Sequence, residues 1–213
     1  MDTDRLTRQI QFIIEIDKLK RVLRQTTLID RSRQENSAEH SWHLAMMALV
    51  LAEYAPPETD ILHAVKLLLV HDLVEIDAGD TFCYNVSGNQ DKVERELQAA
   101  DQLYGLLPDE QGMELRTLWE EFEAQKTPAA QFATALDRLQ PLLHNQHTGG
   151  GTWRLHGITL DQVQQRVAPI RDGTPSLWPF VQQILSRNAV KLPLSAGDVR
   201  RDITGTRCPR NIQ

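Results

Sequence analysis

Cysteine is scarce in this chain: only Cys83 and Cys208 occur among 213 residues, and no Cys-x-x-Cys pair is present. That excludes a disulfide scaffold and a thiolate metal knuckle, and it predicts a reducing, cytoplasmic setting. A chain of this length buries roughly 70% of the surface its unfolded form exposes, so no cross-link is needed to hold it together. No apolar run approaches the roughly 20 residues that span a bilayer, and MDTDRLTRQIQF has no apolar signal-peptide core, so no membrane partner is expected. A basic excess is missing as well. With 29 acidic against 23 basic side chains the net charge is −6, which argues against nucleic acid as a partner. A small phosphorylated ligand needs only a local cationic pocket and remains admissible. Gly149 to Gly151 lack the lysine and hydroxyl residue of a phosphate-binding loop, and no Gly-x-Ser-x-Gly nucleophile motif appears. Alternating strand patterns and internal repeats are absent too.

What remains is helical periodicity. At 41% hydrophobic and 24% charged the composition is that of an ordinary globular protein. Apolar spacing predicts one amphipathic helix over Leu6 to Leu23, then a polar loop from Gln25 to Ser37. Ser37 is expected to cap a helix over Ala38 to Tyr54, which Pro56 and Pro57 end. Asp60 to Asp77 reads as a central, buried helix, apolar almost all round at Leu67 to Val70, with Gly79 as its stop. Further helices are predicted over Lys92 to Leu106, Leu115 to Ala124, Ala129 to Gln146, Leu160 to Ile170 and Leu177 to Ser186. Pro141 should kink or interrupt the third of these, and Gly149 to Gly151 should form a flexible connection. The fold class is all-α: one domain over residues 1–191 and a polar tail over 192–213.

Chemistry concentrates in His71-Asp72-Leu73-Val74-Glu75. Ionisable groups in so apolar a helix need a partner, and a divalent cation would satisfy them together. Helical register would set His71, Asp72 and Glu75 on one side. Taken alone, the His-Asp pair is more readily a capped end or a buried hydrogen bond. Two further placements alter that balance. His40 opens an earlier helix, and Asp137 sits in a later apolar one, so three helices each bring a candidate ligand. His43 reads as a packing residue, and a second metal site at His144 and His147 is not expected. Arg24, Arg31 and Arg33 precede His40, where guanidinium forks suit phosphate oxygens but serve equally as solvated loop charges.

The order His, His-Asp, Asp on successive helices resembles the HD-domain metal phosphohydrolases, and within them the branch of bacterial 5′-deoxynucleotidases. RQENSAEHSWHLAMMALVLA, LLLVHDLVEIDAGD, LWEEFEAQKTPAAQ and FATALDRLQPLL carry the likeness, over about Leu19 to His144. The resemblance implies an HD-type helical bundle in which His40, His71, Asp72 and Asp137 hold one divalent ion. That donor set suits Mn²⁺, Co²⁺, Fe²⁺ or Zn²⁺. It also implies catalytic roles for Glu75 and Asp80, substrate contacts for Arg24 and Arg33, and a homodimer. Gln25 stands where the branch carries tryptophan. The implied reaction is hydrolysis of (deoxy)nucleoside 5′-monophosphates to nucleoside and phosphate. Two other outcomes stay open: hydrolysis of another phosphate ester, such as a cyclic nucleotide or a nucleoside triphosphate, and a non-catalytic nucleotide-binding module.

Overall fold

In a computed structural model of the chain, residues 3–85, 88, 90–188 and 192 are described. Apart from Leu192, the predicted polar tail lies outside the described residues, as does Cys208. The helices run in the order α1 (Thr3–Ile16), α2 (Ser37–Val50), α3 (Ile61–Val70), α4 (Glu75–Ala78), α5 (Lys92–Tyr104), α6 (Asp109–Ala124) and α7 (Pro128–His147). They are followed by α8 (Gly151–Leu155), α9 (Leu160–Val167), α10 (Pro169–Gly173) and α11 (Trp178–Asn188). The all-α expectation holds apart from one small antiparallel pair, β1 (Leu23–Thr27) and β2 (Gln34–Asn36).

α7 is the axis of the bundle. Phe132, Ala133, Ala135 and Leu136 have no exposed surface, because α2, α3, α6 and α10 surround it. Its N-terminus is capped by the Thr127 hydroxyl, which accepts from the Ala130 amide. α10 crosses so closely that a Cβ on Gly173 would collide with the Gln131 carbonyl, so only glycine fits there. Of the two outcomes expected for Pro141, a kink or an interruption, the interruption does not occur: α7 runs through the proline. It leaves the Asp137 carbonyl without an i+4 donor, but packing on every side keeps the helix continuous.

Four other expectations are corrected. The first helix stops at Ile16 and tightens into a 3₁₀ turn (Asp17–Arg21), because Val22 turns extended to feed β1. The expected loop contains the β-hairpin. Its strands are polar and buried only at single positions such as Thr26 and Glu35, so no apolar alternation marks them. The cap of α2 is Asn36, one residue earlier than expected, in a reciprocal capping box with Glu39. Finally, α3 ends at Val70. Leu73 and Glu75 bond back three residues to the Val70 and Asp72 carbonyls, and this tighter winding separates α3 from α4.

α1 keeps its amphipathic pattern, but most of its apolar face is not packed against the bundle. Leu6, Ile10, Ile13 and Ile14 are all exposed, and Phe12 is its one buried residue. No helix among the described residues is long and apolar enough to cross a membrane.

Candidate metal centre and adjoining cavity

The first turn of α2, the turn after α3 and the middle of α7 converge on one point. His40 Nε2 lies 3.0 Å from Asp137 Oδ1, and His71 Nε2 lies 4.0 Å from the same oxygen. Together His40, His71 and Asp137 offer three buried ligand atoms within 4.8 Å of one another. Asp72 stands alongside, with Oδ1 3.0 Å from His71 Nε2 and Oδ2 4.0 Å from His40 Nε2. All four residues proposed as ligands are therefore brought together.

Tautomer and burial test whether a cation fits. His71 Nδ1 lies 2.8 Å from the Leu68 carbonyl, so the proton belongs on Nδ1 and the lone pair on Nε2. That Nε2 is buried and has no hydrogen-bond partner. A buried, unpartnered imidazole lone pair beside two carboxylates is the donor set a divalent transition ion requires. The residues fit the ion.

The carboxylates are meanwhile neutralised by arginine. Arg24 Nη1 donates to Asp72 Oδ2 at 2.9 Å, and Arg138 pairs with Asp137 Oδ2. Burial alone would raise the Asp137 carboxyl, but Arg138 and the hydrogen bond with His40 hold it well below the usual range. Behind His40 lies Glu35, 2% exposed, with Oε2 3.6 Å from both His40 Nδ1 and Arg24 Nε. Those three atoms are buried without partners of their own. Glu35 is thus placed to orient one imidazole and one guanidinium at once.

Glu75 is reached by a different route from the one expected. The break after Val70 leaves His71 and Asp72 in the tighter turn and starts α4 at Glu75, where Ser37 Oγ donates to its Oε2 at 2.7 Å. Ser37 is free to do so because Asn36 performs the capping. Burial, reinforced by the neighbouring Asp72 charge, raises the Glu75 carboxyl well above its ordinary range. Asp80 follows Gly79, whose φ of +77° turns the chain into the loop. Burial raises the Asp80 carboxyl too. Arg95 braces this loop from α5, donating to the Ala78 carbonyl and at 3.1 Å to Thr81 Oγ1 and the Gly88 carbonyl.

A cavity of about 220 Å³ opens from the ligand group, and Arg24, Asp72, Glu75, Asp80 and Asp137 all line it. Arg33 does not. Its fork is spent at the surface on Glu39, at 2.6 and 2.9 Å, where it steadies the α2 capping box. Arg138, Arg166, Tyr84 and Trp153 are among the cavity residues not singled out from the sequence. Arg138 follows a proposed ligand directly, which was a usable signal; Arg166 lay in an ordinary amphipathic helix.

The chain matches the HD domain family over residues 16–178. It belongs to that family. The 5′-deoxynucleotidase HDDC2 of Homo sapiens is 34% identical over 136 residues, and that of Bos taurus 35% over the same length. The match to the human protein covers 63% of this chain and spans 65% of that relative's length. A crystal structure from Magnetospirillum magnetotacticum MS-1, described as a predicted metal-dependent phosphohydrolase, is 51% identical with a TM-score of 0.83. It aligns over 88% of this chain and 96% of its own. A conserved hypothetical protein of Pyrococcus furiosus shares the fold alone, at 23% identity and TM-score 0.60 over 82% of this chain and 98% of its own.

Proposed function

We propose that this HD-domain protein is a metal-dependent phosphohydrolase that releases phosphate from (deoxy)nucleoside 5′-monophosphates. One observation carries the reading: a buried His, His, Asp group with an unpartnered lone pair opens onto a cavity lined by two carboxyls raised by burial. The relatives named 5′-deoxynucleotidase support the substrate class.

His40, His71, Asp72 and Asp137 would hold one divalent ion, Mn²⁺, Co²⁺, Fe²⁺ or Zn²⁺. When bound, such an ion supplies Lewis acidity toward water and phosphate. Glu75 is the general base. Ser37 occupies its Oε2, which leaves Oε1 to take the proton of the attacking water. Asp80 is the general acid toward the departing ester oxygen, and burial raises its carboxyl in the direction that role requires. Arg24 orients the phosphate. Its guanidinium lies on Asp72 at the cavity wall, with Gln25 beside it.

A homodimer is part of the proposal. The exposed stripe Leu6, Ile10, Ile13, Ile14 on α1 gives it an apolar face, and a second copy would cover it. The proposal places the protein in a reducing, cytoplasmic setting, a reading that the scarcity of cysteine supports.

The deciding experiment is phosphate release from a panel of ribo- and deoxyribonucleoside 5′-monophosphates, with each candidate metal added to metal-stripped protein. Turnover with at least one metal is expected. Silence across the panel, with cyclic nucleotides or triphosphates hydrolysed instead, would move the reading to that ester class. Binding without turnover of any ester would make the protein a nucleotide-binding module.

A further inference from the structure

We infer that Arg138 and Arg166 form a phosphate-oxygen subsite on the wall of the cavity beyond the metal centre, built to grip a terminal phosphate dianion. The inference deepens the proposed phosphohydrolase reading and rests on it for the orientation of the ligand.

The two arginines come from different elements, α7 and α9, and line one cavity together with Cys83 and Tyr84. Lys92 lines the same cavity, so its cationic side chains number four with Arg24. A fold does not bring like charges together in a recess without compensation. Yet Arg166 makes no hydrogen bond or ion pair among the described residues. Arg138, with its side chain only 14% exposed, has Asp137 as its one hydrogen-bond acceptor among the described residues. Asp137 thus compensates Arg138, whereas Arg166 has no anion of its own on the described wall.

Arg24 repeats the pattern. Arg24 sits on Asp72 and Arg138 on Asp137, so each covers one of the carboxylates proposed to bind the cation. With those carboxylates neutralised by a divalent ion, both forks are left for an anionic ligand. Arg166 is already unengaged. Three guanidiniums around one recess match a terminal phosphate, which carries about two charges near neutral pH and three non-bridging oxygens. A cyclic or otherwise diesterified phosphate offers one charge and two such oxygens. The pair thus favours monoesters over diesters.

The test measures equilibrium binding by calorimetry, with inorganic phosphate and dimethyl phosphate as probes. Each is titrated into Mn²⁺-loaded full-length protein and, in parallel, into metal-stripped protein. Wild type should bind phosphate at least about tenfold more tightly than dimethyl phosphate. Arg166→Gln should raise the phosphate Kd by about 10- to 100-fold, the loss expected for charge-assisted hydrogen bonds, and shrink that discrimination. Its Mn²⁺ affinity should not change. Arg138→Lys, which keeps the charge but not the fork, should fall between. Unchanged phosphate Kd in both variants, or equal binding of the two probes by wild type, would overturn the subsite. Asp72→Ala serves as a separate control. If it retains Mn²⁺ the ligand assignment is wrong, whereas the titrations on metal-stripped protein still read the arginine pair by itself.

Discussion

Two clusters of the same residue types lie on either side of His40, and they resolve their charge in opposite ways. One is His40, His71 and Asp137; the other is Glu35, His43 and His144. In both, three ligand atoms fall within 4.8 Å of one another. In the second cluster an amide fills the centre: Gln140 Nε2 lies 2.5 Å from Glu35 Oε1, 3.1 Å from His144 Nε2 and 3.4 Å from His43 Nδ1. His144 Nδ1 is in turn engaged by the Thr27 carbonyl at 3.0 Å. The first cluster has no such amide, and the lone pair of His71 Nε2 is left over. Residue identity and spacing do not distinguish a metal centre from a polar network. What distinguishes them is whether a donor already sits among the acceptors. The first cluster also opens to the cavity through His71, Asp72 and Asp137, whereas Glu35, His43 and His144 do not line it.

The largest effect that tests this contrast is loss of the ion. Asp72→Ala should abolish stoichiometric divalent-metal binding and all turnover, measured by elemental analysis beside phosphate release. His144→Ala, in the second cluster, should leave the bound equivalent in place. Equal metal loss in both variants would erase the distinction. Glu75→Gln should separate binding from chemistry: metal retained, turnover down by about 10²–10⁴-fold, the range for a general base. A parallel drop in metal content would show Glu75 to be a ligand rather than a base.

How much of this was legible beforehand follows the same division. The helical framework could be read because Leu67, Leu68, Leu136 and Leu139 repeat at helical spacing, and burial enforces that spacing. His40, His71, Asp72 and Asp137 could be read because ionisable groups in such helices need a partner. The β-hairpin was not, since Arg24, Gln25 and Gln34 carry no alternating pattern and the ladder rests on backbone bonds. The break after Val70 was hidden because an apolar run looks the same whether it winds by four residues or by three. The family likeness drew attention to Arg33, yet only the fold shows that Glu39 already holds it. Arg166 was invisible for the converse reason: its significance lies in having no partner among the described residues, which no sequence position records.

The second cluster makes its own prediction. Gln140 is completely buried, and its amide is the donor that quiets Glu35. Gln140→Ala removes it and leaves a buried carboxylate short of a partner, at a cost of about 1–3 kcal/mol, read from denaturant midpoints at fixed slope. The same substitution frees the ligand atoms of Glu35, His43 and His144 together. Zn²⁺ should then restore part of the lost stability and bring the bound metal from one equivalent to two. A destabilised variant that gains nothing from Zn²⁺ would mean that the second cluster lacks the geometry for an ion even when empty.

The smallest expected effect concerns pH, and it sharpens the first cluster. Burial, then the Asp72 charge, raises the Glu75 carboxyl in the folded protein well above its value in the unfolded chain. Between those two values the folded state holds a proton that the unfolded state has lost. Its contribution is complete below the unfolded value, about pH 4.3, and is lost as pH rises through the raised folded value. In metal-free protein, then, stability should decline as pH climbs from the acidic side toward neutrality and beyond. Glu75→Gln removes the titrating group but keeps the shape. Its melting temperature should fall less over the same interval, and above neutrality it should lie a few degrees over wild type, as differential scanning calorimetry would show. Identical slopes would mean that Arg24, which opposes the shift, already compensates Glu75 in full. Glu75 would then be ionised at rest, ready to accept a proton without first losing one.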